Sequence, residues 1–89
     1  MDTQELLIKV KQGMLMSGNY NDDSLMIFIN EAIEHMRDAG IKDDFIKSEK
    51  SIGLITLITS DLYGTDKKLS DYTKSRIIQA RMKQGEDDV

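Results

Sequence analysis

The chain of 89 residues contains no cysteine, no proline and no tryptophan, and it has a single histidine. Without cysteine it cannot form a disulfide framework, a cysteine-based zinc site or a thiol nucleophile. No apolar run approaches the ~20 residues that a membrane span needs, so we expect no membrane association. The first residues are acidic and lack the basic region of a secretory signal, which predicts a soluble intracellular protein.

Acidic residues outnumber basic ones, and the resulting net charge of −4 argues against a general nucleic-acid binder. The charge is unevenly distributed. Residues 66–84 contain six cations and two carboxylates, a net charge of +4, whereas the rest of the chain carries −8. Such a basic segment can contact an acidic partner surface or a phosphate backbone, and a solvated helix face is the plainer alternative.

Apolar residues recur at spacings of three and four, and no proline interrupts them. This pattern predicts an all-α, single-domain protein, a small bundle of about four helices. Asp2 or Thr3 can cap the first helix, and Asp22 or Asp23 the second. Gly40 is suited to the left-handed conformation that ends the second helix. The predicted helices cover residues 3–16, 22–39, 48–63 and 70–84, with Phe45 and Ile46 turned inward and the last helix ending at Gly85.

The third predicted helix is the central core element, since Asp61 is its only charge between Ser51 and Tyr63. Its small residues, Gly53, Thr56 and Ser60, would permit close approach of another helix. A strand over 55–59 is the alternative. We assign residues 1–85 to one helical domain and expect the acidic tail, 86–89, to be disordered.

Patterns that carry chemistry are weak. Asn19–Asp23 resembles the start of a calcium loop, but Ser24 and Asn30 stand where that loop needs glycine and glutamate. His35 has no recognisable nucleophile or orienting partner. We therefore expect no catalytic residues, no metal site, no cofactor and no enzymatic activity.

Apolar residues outside the main stripes are more informative. Ile8 and Leu15 project away from the apolar side of the first helix that faces the core. Ile27 lies opposite the apolar side of the second helix. Ile77 and Ile78 occupy different faces of the last helix, where Met82 lies beside Ile78. In so small a chain this surplus predicts a second buried surface, formed with another copy or a partner.

The order and size of these segments resemble the QLRG-type family of phage head–tail connectors, which serve head completion and DNA packaging. The resemblance covers nearly the whole chain. Gln79 and Arg81 match the glutamine and arginine of the family's C-terminal signature, while Ala80 replaces its leucine and Met82 its glycine. The turn at 21–25 and the segment 61–63 resemble the family's start of the second helix and end of the third.

This resemblance implies a structural virion-assembly protein that forms a ring oligomer beneath the portal protein, contacts tail or stopper proteins and continues the DNA channel. DNA would pass without sequence-specific binding, and the protein would occupy the virion neck, or the bacterial cytoplasm during assembly. The alternative is a small DNA-binding or regulatory protein using the basic fourth helix. The predicted oligomer and partner interface comprises Ile8, Leu15, Ile27, Tyr72, Ile77, Ile78, Gln79, Arg81 and Met82.

Overall fold

The computed structural model describes residues 2–14, 22–64 and 68–87, with side chains up to residue 83. These residues contain helices and no strand, so the all-α prediction is confirmed. The elements in chain order are α1 (Thr3–Gly13), α2 (Asp22–Asp38), α3 (Asp43–Ile46), a 3-10 turn (Glu49–Ser51), α4 (Ile52–Tyr63) and α5 (Asp71–Asp87).

Helix α1 begins where the sequence predicted. The Asp2 side chain accepts a hydrogen bond from the Glu5 backbone N–H at 2.7 Å, which satisfies one of the free donors of the first turn. Leu6 and Val10 are buried in the core. The helix ends at Gly13 rather than at residue 16, and residues 15 and 16 lie outside the described residues.

Helix α2 ends in a Schellman motif at Gly40, whose φ is 90°. The Gly40 N–H donates to the Arg37 carbonyl at 2.9 Å, and the Ile41 N–H donates to the Met36 carbonyl at 3.0 Å. Met36 and Ile41 are both buried, so they supply the apolar contact that accompanies this motif. The predicted role of Gly40 is confirmed.

The segment before α4 differs from the prediction of one helix beginning at Ser48. A short helix, α3, and a 3-10 turn precede α4 instead. The buried Ser51 hydroxyl explains the turn, because its Oγ lies 2.7 Å from the Ile46 carbonyl oxygen and 2.9 Å from that of Ser48. Ile46 is buried, as predicted, and Phe45 packs partly against the core.

Helix α4 is the centre of the bundle and packs against α1, α2 and α5. Leu54, Ile55 and Ile58 are buried, which confirms the predicted core and excludes the alternative strand. The expectation about its small residues is only partly correct. Gly53 and Ser60 are exposed, whereas Thr56 lies against Gly13 of α1.

Helix α5 is anchored to α4 by a carboxylate. Asp61 Oδ2 accepts hydrogen bonds from the Ser70 backbone N–H, at 3.0 Å, and from the Thr73 hydroxyl. Burial raises the pKa of the Asp61 carboxyl, but the hydrogen bonds from Thr73 and Ser70 lower the pKa by more, so it lies below its ordinary value. The ionised carboxylate therefore fixes the start of α5.

Two predictions about α5 are wrong. The helix continues through Gly85 to Asp87, because a glycine weakens a helix by about 1 kcal/mol without ending it. Residues 86 and 87 of the predicted disordered tail thus belong to the helix, and 88 and 89 lie outside the described residues. Ile77 is 7% exposed and belongs to the core, since it lies one turn after the buried Thr73 on the side that meets α4. It is not available for the predicted interface.

Candidate interaction surfaces

Large apolar side chains of α1, α2 and α5 point to solvent. Ile27 is 62% exposed, Ile78 56% and Met82 64%, and Ile8 and Tyr72 are similarly exposed. Ile78 and Met82 lie one turn apart on α5, on the side away from the bundle, while Ile8 and Ile27 lie on other helices. Gln79 and Arg81 are exposed too, and Leu15 lies outside the described residues. The interface assignment itself stays a prediction.

The exposed side of α2 is acidic and includes Ile27, one turn from its first carboxylate. The helical spacing places Asp23 and Glu31 one turn from Ile27, and it places Glu34 and Asp38 on the same side of the helix about two and three turns further on. We call this surface the acidic face, and it consists of Asp23, Ile27, Asn30, Glu31, Glu34 and Asp38, all of them exposed.

Most carboxylates of the acidic face are available to a partner. Glu34 accepts a hydrogen bond from Arg37 at 3.0 Å. Asp23, Glu31 and Asp38 make no ion pair within the described part of the chain. A concentration of negative charge around an exposed isoleucine suits a partner surface that is both basic and apolar.

A groove of about 570 Å³ lies between α5 and the segment that contains α3 and the 3-10 turn. Of the described residues, four cations and one carboxylate line it, while apolar atoms of Phe45, Leu54 and Ala80 contribute to its walls. We call it the basic groove, and its lining residues are Lys42, Asp44, Phe45, Ser48, Lys50, Leu54, Arg76, Gln79, Ala80 and Lys83.

Arg76 is a cation of the basic groove that contacts a tyrosine on its own helix. It is half-buried, and its Nη1 donates a hydrogen bond to the Tyr72 hydroxyl at 3.2 Å. Its guanidinium carbon lies 6.0 Å from the centre of the Tyr72 ring, at the outer limit of a cation–π contact. Tyr72, predicted for the interface, therefore helps to position a cation of the groove.

The sequence indicates only those residues of this groove that belong to α5. The net charge of residues 66–84 drew attention to Arg76 and Lys83, and Gln79 was selected from the family signature. Lys42 and Lys50 were missed, because they precede α5 by more than twenty residues and only the fold brings them to it.

Arg81 lies outside the basic groove, beside the end of α2. A Cβ atom built on Gly40 would lie 3.6 Å from Arg81 Cδ. A cation at this place is favourable, since the C-terminal end of a helix carries partial negative charge. Arg81 thus has an intramolecular setting besides its predicted role in an interface.

The described residues contain no group of three or more histidine, aspartate or glutamate side chains placed to hold a metal ion. Asn19 to Asn21, the start of the calcium-loop pattern, lie outside them, and Asp22 and Asp23 begin α2. No helix of 2–14, 22–64 or 68–87 is long and apolar enough to cross a membrane.

Comparisons with known proteins found no matching family model, no similar curated protein and no similar solved structure. The resemblance to phage connectors therefore stays a prediction from the sequence.

Proposed function

We propose that this chain is a non-catalytic assembly protein of the head–tail connector type. In this role it forms a ring beneath the portal protein of a phage or prophage, contacts tail or stopper proteins and continues the DNA channel. The observation that carries the proposal is the exposure of large apolar side chains on α1, α2 and α5 of so small a bundle.

The distribution of these side chains supports assembly. A single exposed isoleucine on a monomer is ordinary, because apolar atoms contribute more than half of most protein surfaces. Here Ile78 and Met82 form a pair on α5, and Ile27 lies on the acidic face of α2. Two separate surfaces of this kind suit a subunit with neighbours on more than one side, as a ring between portal and tail requires.

The resemblance supplies the finer part of the proposal, namely the ring, its place at the virion neck and its assembly in the bacterial cytoplasm. The net charge of −4 is consistent with DNA passing without being held, since a negative surface repels the phosphate backbone.

Negative-stain electron microscopy of the chain mixed with the portal protein of the same phage genome tests this function. We expect an additional ring on the portal, whereas the chain with Ile78→Asp and Met82→Asp should add no ring or a sparse one. Portal rings that look identical with and without the wild-type chain would contradict the proposal.

DNA binding through α5 is the second candidate, and the net charge of +4 over residues 66–84 favours it. The cations, however, are spread around the helix, with Arg76 and Lys83 in the basic groove and Lys74 and Arg81 outside it. A recognition helix needs its contacts on one side. Duplex binding that weakens steeply with salt would support this candidate instead.

A further inference from the structure

We propose that the basic groove of one copy binds the acidic face of a second copy. This inference rests on the proposed function, because it names the surfaces through which the assembly protein contacts itself. The two surfaces carry opposite charges, and each also includes apolar atoms.

The charges of the two surfaces are complementary. Among the described residues, the groove is lined by the cations Lys42, Lys50, Arg76 and Lys83 and by one carboxylate, that of Asp44. The acidic face presents four carboxylates, at 23, 31, 34 and 38, of which Glu34 is paired with the neighbouring Arg37. Contact between two copies therefore pairs opposite charges, while groove against groove or face against face would pair like charges.

The apolar parts of the two surfaces are complementary as well. Ile27 lies between Asp23 and Glu31 of the acidic face and is 62% exposed. The groove offers apolar surface at the half-buried side chains of Phe45 and Ala80. An amphipathic helix that lays its apolar residue into a groove is a common mode of protein recognition. A phosphate backbone has no apolar group to match this surface, which favours a protein occupant.

Because the two surfaces are different, each bound copy leaves one groove and one face unused. Such contacts can continue from copy to copy and close into a ring, or close within a dimer. A pair of variants that are each defective in one surface can therefore still join through the intact surfaces.

The experiment uses two charge-reversed variants in sedimentation velocity, from micromolar to millimolar concentration. One carries Lys50→Glu and Lys83→Glu in the groove, and the other carries Glu31→Lys and Asp38→Lys on the acidic face. We expect wild type to self-associate and each variant alone to do so at least about tenfold more weakly, because like charges now oppose each other. An equimolar mixture of the two variants should recover association.

A control with the same change of net charge as the groove variant carries Lys47→Glu and Lys74→Glu, two exposed lysines outside the groove. It should associate like wild type, and circular dichroism melts establish that every variant is folded. Wild-type association in the groove variant, or a mixture that stays monomeric, would overturn the inference. A wild-type chain that is monomeric at millimolar concentration would also overturn it. A ring seen on the portal would support the proposed function even in that case.

Discussion

Replacing Gly13 by alanine should destabilise the bundle through one contact between α1 and α4. The added Cβ atom would lie 2.8 Å from Thr56 Cγ2, closer than carbon atoms approach without a shift of one of them. Thr56 cannot turn away freely, since its Oγ1 lies 2.8 Å from the Ile52 carbonyl oxygen to which it donates, and β-branched side chains are stiff in helices.

Two opposing effects set the magnitude. Overpacking a close contact costs about 1–3 kcal/mol, while alanine in place of glycine favours a helix by up to about 1 kcal/mol. We expect a net loss of about 1 kcal/mol in the free energy of unfolding. For a domain of this size, that corresponds to a fall of about 4–8 °C in Tm.

Removing the obstructing methyl group should reverse the outcome. In a Thr56→Ser background the nearest remaining atom is Oγ1, at 3.3 Å from the added Cβ. Gly13→Ala should then be neutral or slightly stabilising, which gives a coupling energy of about 1–2 kcal/mol between the two positions.

Urea unfolding of wild type, both single variants and the double variant measures this coupling. Gly53→Ala serves as the control, because no atom lies within 4 Å of its added Cβ and the change should stabilise the helix by up to about 1 kcal/mol. Equal destabilisation by Gly13→Ala in both backgrounds would refute the contact between Gly13 and Thr56.

Three further changes have defined outcomes. Gly40→Ala should lower the free energy of unfolding by about 1–2 kcal/mol, because alanine is strained at a φ of 90°. An unchanged Tm in a thermal melt would contradict the left-handed conformation of Gly40. Because the pKa of Asp61 is lowered in the folded state, its contribution to stability is complete above pH ~4 and is lost as the pH falls through the lower folded value. Urea titrations from pH 5 to about 2.5 should therefore show that the free energy of unfolding falls less steeply with pH in Asp61→Asn than in wild type. Ile55→Asp should abolish cooperative unfolding, since it buries a charge, whereas Ile78→Ser should change the free energy of unfolding by no more than about 0.5 kcal/mol. Similar thermal melts for the two variants would refute the assignment of Ile55 to the core.

The bounds of α2 could be predicted closely because every signal lies within the helix or at its ends. The apolar stripe from Leu25 to Met36 gives the buried side, and Gly40 ends the helix through local hydrogen bonds. The turn at Glu49–Ser51 could not be predicted, since it depends on a buried hydroxyl reaching the Ile46 carbonyl. Secondary structure that depends on residues close in sequence can thus be predicted from the sequence, whereas structure that depends on a tertiary contact cannot.

The orientation of α5 was the least predictable feature. Ile77 and Ile78 are adjacent and equally apolar, so the sequence cannot tell which of them is buried. The hydrogen bonds from Ser70 and Thr73 to Asp61 decide it, because they fix the rotation of the helix against α4. The same rotation turns Arg76 and Lys83 toward the segment that carries Lys50, and so creates the basic groove.

The proposed function requires this chain to be a subunit of a ring on the portal. Native mass spectrometry of the chain mixed with the portal protein of the same phage genome tests it most directly, because it counts copies. We expect one complex in which a fixed whole number of copies is added to each portal ring, and we expect the groove variant and the acidic-face variant to lose this complex. Separate masses of bare portal rings and free chains would contradict it.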